Sequence, residues 1–156
     1  MKKIKLLLVS LCSVSLLSAS QLHIKADSFS ADQNKGLSIF KGDVNIVKNN
    51  DELNASKVMV YTDKQNKPTK FVALGNVSFV VETQQKTTYR GKAQKVIYLP
   101  KQKEYHFFKD VHLRQTNETK EIIGNEVVLN TIEGKAYAKG AKAEPVIMIF
   151  DIDEKK

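Results

Sequence analysis

The sequence is poor in the residues that staple, ligate and catalyse. It has one cysteine, Cys12, and three histidines in 156 residues. Cys12 falls in an N-terminal stretch with the signs of a secretory leader. Lys2, Lys3 and Lys5 precede an apolar run at 6–17, and Ser18, Ala19 and Ser20 form a small-residue cleavage site. We expect residues 1–20 to be removed, leaving one domain at 21–156 without cysteine, which excludes disulfides, thiolate metal sites and cysteine nucleophiles. The apolar run falls short of the ~20 residues that cross a bilayer, so a retained anchor is the secondary reading. Leu11 before Cys12 replaces the small residue that a lipidation signal requires.

The motifs of familiar chemistry are missing as well. There is no Gly-x-Ser-x-Gly elbow, no His-Glu-x-x-His pair and no phosphate-binding glycine loop. His106, Asp110 and His112 have one parity and are the best metal candidates. Their face lies opposite Phe107, Val111 and Leu113, which makes it the wet side of a strand, and we expect no metal, cofactor or catalysis there. The formal charge of +8 falls to about +5 once the leader lysines leave. The remaining lysines are scattered rather than striped, so nucleic acid is not expected as a partner. A soluble surface with some attraction to anionic phosphates is.

No segment sustains the helical period of apolar residues. Turn signals arrive every 8 to 12 residues or so, the mark of an all-β protein. Within it a motif recurs. Phe40-Lys41-Gly42-Asp43-Val44-Asn45-Ile46, Phe71-Val72-Ala73-Leu74-Gly75-Asn76-Val77 and Phe108-Lys109-Asp110-Val111 place Val44, Val77 and Val111 at intervals of 33 and 34 residues. A fixed period of this size marks a repeated supersecondary unit. We expect stacked antiparallel hairpins, about 12 to 16 short strands in all, with Gly75 as the bend between two strands of a layer and Asp43 and Asp110 in turn roles.

Alternation in these strands selects one inward row. It comprises Val44 and Ile46, Val58 and Val60, Phe71, Val77 and Phe79, Val96 and Tyr98, and Phe107, Val111 and Leu113. The row is either a filled core or the lining of a groove for acyl chains, since burial of apolar area is favourable against protein or lipid alike. Of these, Phe71, Val77, Phe79, Val96, Tyr98 and Phe107 are the expected lipid path. A stack of hairpins also leaves an open strand edge at each end, which predicts head-to-tail self-association.

The leader, the segment Leu22-His23-Ile24-Lys25-Ala26-Asp27-Ser28-Phe29, and the ordered repeats behind it resemble the LptA/OstA family of periplasmic lipopolysaccharide transport proteins. Lys109 departs from the pattern, standing where two copies have glycine. The resemblance implies a twisted β-jellyroll whose interior holds the acyl chains of lipid A. It implies a bridge from inner to outer membrane, with an LptC-like protein at the N-terminal edge and an LptD-like protein at the C-terminal edge. The alternative is an LptC-like or other periplasmic binding or adhesion module with a filled core and no lipid.

Overall fold

The computed structural model describes residues 20–116 and 118–152, so the expected leader lies outside the described residues apart from Ser20. The described chain forms ten strands: β1 (His23–Lys25), β2 (Ser28–Asp32), β3 (Leu37–Lys48), β4 (Asp51–Thr62), β5 (Pro68–Glu82), β6 (Thr88–Leu99), β7 (Glu104–Gln115), β8 (Lys120–Asn130), β9 (Lys135–Lys139) and β10 (Ile147–Phe150). All pairings are antiparallel, and β3 to β8 follow one another in sequence order. The fold is the expected all-β jellyroll, but the strands are fewer and longer than expected.

The difference lies in the repeated breaks, which do not end strands. Gly42-Asp43, Gly75-Asn76 and Lys109-Asp110 sit inside β3, β5 and β7, each as two consecutive left-handed residues with φ between +41° and +84°. The register slips at each of them, between Lys41 and Val44, between Leu74 and Val77, and between Phe108 and Val111. These are β-bulges, which bend and twist a strand without cutting it. Asp43, Gly75 and Asp110 therefore belong to bulges within single strands, where the sequence suggested turns between separate ones.

The bulges line up across the sheet and divide each long strand between two layers. The first layer contains β2, residues 37–41, 57–62, 68–74, 95–99, 104–108 and 126–130, and β9. The second contains β1, residues 44–48, 51–55, 77–82, 88–93, 111–115 and 120–124, and β10. The layers face each other. Phe79 of the second stacks on Phe107 of the first at 4.2 Å between ring centroids, although β5 and β7 are not paired. At one end the β5–β6 turn meets the β8–β9 turn, with Gln84 N–H donating to the Thr131 carbonyl at 2.9 Å and Gln85 Nε2 to the Ile132 carbonyl at 2.6 Å.

The inward rows form one core cluster that includes Val44, Val58, Val77, Val96, Phe107, Val111 and Leu129. On β5 the inward parity runs unbroken through Ala73, Val77, Phe79 and Val81. On β4 it flips, from Ala55 in the second layer to Val58 in the first. Alternation from Val58 alone would have put Ala55 outside.

The sheet keeps open edges at both ends of the stack. β1 and β2 pair only with β3, and β9 and β10 only with β8. Phe29 on β2 is exposed beside Phe40, and all four residues of β10 are exposed.

Candidate functional site

At one end the two layers part and enclose an apolar cavity of about 220 Å³. Its first-layer wall is aromatic, because Phe71, Tyr98 and Tyr105 occupy inward positions on three adjacent strands. Tyr98 stacks on Tyr105 at 4.4 Å and lies 6.0 Å from Phe71. Ile46, Leu53 and Val81 supply the second-layer wall, and Leu22, just before β1, reaches the rim. Deeper in, the Phe79–Phe107 stack closes the gap between the layers.

One carboxylate interrupts this lining. Asp51, the first residue of β4, accepts the Glu82 backbone N–H at 2.8 Å and the Tyr105 hydroxyl at 3.1 Å. Burial holds its carboxyl above the ordinary carboxylate range, against the lowering effect of those two hydrogen bonds. Burial also raises the Tyr105 phenol well above its ordinary value and the Tyr98 phenol more modestly. Both phenols therefore remain neutral donors at the mouth of the cavity. The Asp51–Tyr105 bond spans the layers beside the cavity that both residues line.

The structure divides the inward residues named from the sequence. Ile46, Phe71 and Tyr98 line the cavity. Val44, Val58, Val60, Val77, Phe79, Val96, Phe107, Val111 and Leu113 are at most 6% exposed and pack against one another. Asp51 was hidden in a polar turn, and nothing in its local sequence distinguishes it. Tyr105 shares the parity of Phe107 and was within reach of the same alternation.

The metal candidates do not converge. His106 faces outward on the first layer beside Glu104, and His112 faces outward on the second beside Glu121. The bulge at Lys109-Asp110 separates them by turning β7 from one layer into the other. Among the described residues no group of three or more His, Cys, Asp and Glu side chains gathers to hold a metal.

Among solved structures the chain is similar to "LptH, the LptA homologous periplasmic component of the conserved lipopolysaccharide transport device from Pseudomonas aeruginosa". The superposition covers 85% of this chain and 96% of that one with a TM-score of 0.75, at 16% sequence identity, which is a likeness of fold. No curated protein matches the chain. The family profile described as "LptA/(LptD N-terminal domain) LPS transport protein" matches residues 23–135, the span that runs from β1 into β9. The chain belongs to this family of lipopolysaccharide transport proteins, which is not a family of enzymes.

Proposed function

We propose that the chain is a periplasmic lipopolysaccharide carrier, exported by a leader at 1–20, that takes acyl chain ends of lipid A into the cavity between its layers. The cavity carries this reading. It is apolar and aromatic, it opens at the mouth of the jellyroll, and its rim includes both Leu22 and Lys48. At about 220 Å³ it is smaller than the ~300–1,000 Å³ of pockets that engulf a whole drug-sized ligand. It therefore suits the end of a chain, and deeper uptake requires the layers to separate at Phe79 and Phe107.

The open edges support the partner assignments. In the proposed bridge β1 and β2 meet an LptC-like protein, β9 and β10 meet an LptD-like protein, and copies join head to tail. Each junction extends the sheet by strand addition. Exposed Phe29 at one end and exposed Met148 and Phe150 at the other supply apolar area for it.

A second reading, a binding or adhesion module with a filled core, is favoured by the nine close-packed residues of the inward row. A photo-crosslinking residue separates the two. At Phe71, on the cavity wall, it traps lipopolysaccharide if the carrier reading holds, and at the adjacent outward position Lys70 it does not. Equal labelling at both positions, or none at Phe71 in cells that export lipopolysaccharide, decides for the filled module.

A further inference from the structure

On the outside of the second layer, remote from the cavity's aromatic wall, β6 and β7 set like charges against each other. Arg90 is the cross-strand partner of Arg114, and Lys92 of His112. Like charges directly opposite on a sheet destabilise it, and here the Arg90–Arg114 pair lies beside a further cation, Lys92. All four side chains are exposed. Glu121 is the carboxylate that shares their depression, opposite Arg114 on β8 and 3.7 Å from His112 Nδ1, and Glu52 and Asp110 line adjoining ones. Arg90, Lys92 and Arg114 have neither an ion pair nor a side-chain hydrogen bond among the described residues. The group surrounds an open depression that Gly91 also lines. Ser78 of β5, opposite Lys92, adds a hydroxyl on the neighbouring strand.

We propose that this depression is a binding site for phosphate groups, in addition to and independent of the acyl cavity. Two adjacent guanidinium forks match the several oxygens of a tetrahedral dianion, each through paired N–H donors, and Lys92 adds a point charge. A bound phosphate also turns the Arg90–Arg114 repulsion into a shared attraction, so the face is best satisfied when occupied. A planar monocarboxylate has too few oxygens to engage both forks. The phosphate comes either from solution or from a lipid headgroup.

The test is titration calorimetry of the full mature chain with inorganic phosphate and with pyrophosphate at low salt. Its companion is co-sedimentation with phosphatidylcholine vesicles with and without phosphatidic acid. We expect binding in one or both arms, and R90Q/R114Q weakens it about tenfold or more. The control is K41Q/K57Q, which removes the same charge from a directly opposed pair on the first layer and leaves binding unchanged. Binding of the soluble anions alone identifies a soluble phosphate compound, and binding of acidic vesicles alone identifies a lipid headgroup. Both outcomes uphold the site. Failure of both arms overturns it, as does an equal loss in the two double variants, which would mean attraction to bulk charge. Crosslinking at Phe71 is read separately, so loss of the acyl reading leaves this test intact.

Discussion

Tyr105 donates its hydroxyl to Asp51 at 3.1 Å across the two layers of the jellyroll, joining residues 54 positions apart. The bond ties the β3–β4 turn of one layer to β7 of the other where the cavity opens. Tyr105→Phe keeps the ring and its stack on Tyr98 but leaves one oxygen of a partly buried carboxylate without its donor. We expect a loss of about 1–2 kcal/mol in urea unfolding at neutral pH. A matching rise in uptake of a fluorescent fatty acid is expected, since the two layers are no longer tied there. Unchanged stability would show that water replaces the hydroxyl at no cost.

The same carboxylate predicts a pH dependence with a definite sign. Burial raises the pKa of Asp51 above its ordinary 3.8 in the folded chain. Between the ordinary and the raised value the folded state binds more protons than the unfolded, so stability contributed at this site falls as pH rises through that window. In Asp51→Asn the amide oxygen accepts from Glu82 N–H and the amide N–H donates to the Tyr105 hydroxyl, which can act as acceptor. The stability of Asp51→Asn relative to the parent chain should therefore grow as pH is raised from 4 to 7, followed by urea midpoints. A difference that shrinks over this range would mean that the hydrogen bonds outweigh burial.

The bulges yield a stabilising substitution. Lys109 has φ +60°, at the position where β3 and β5 have Gly42 and Gly75 at +80° and +84°. A side chain in this region costs about 1–2 kcal/mol, and glycine gives back part of that in unfolded-state entropy. Lys109 is exposed, so little packing is lost with it. We expect Lys109→Gly to raise stability by about 0.5–1 kcal/mol in the same unfolding assay. Lys109→Ala, which keeps the strain, should leave it near the parent value.

The repeat at Val44, Val77 and Val111 was legible because two properties coincide there, a residue pair tolerant of positive φ and a Val that turns inward after it. That was enough for the all-β class, the period and the inward row. It was not enough to separate a bulge from a hairpin, because Gly-Asn suits both and the choice depends on whether the next segment continues in its neighbour's register. The flip on β4 between Ala55 and Val58 has the same origin, since it answers a bulge on the strand beside it. Asp51 was illegible for a different reason. Its partner Tyr105 lies on a strand three places away in the sheet, and only the folding of one layer over the other brings them together.

Gly91 gives the last expectation. It faces inward on β6 between Tyr89 and Ala93, and a Cβ there would strike the His112 main-chain carbonyl on β7 and approach Phe79 Cζ at 2.9 Å. The nearer obstacle is backbone, which cannot swing aside, so Gly91→Ala must push β6 and β7 apart beside the Phe79–Phe107 stack. We expect a loss of about 3 kcal/mol. Gly124→Ala serves as the comparison, because its Cβ first meets the Lys139 carbonyl at 3.2 Å, and it should lose far less. Trimming the ring tests which obstacle dominates: Phe79→Leu in the Gly91→Ala background should not restore stability if the carbonyl governs. Recovery in that double variant, measured against Phe79→Leu alone, would place the constraint in the aromatic stack instead.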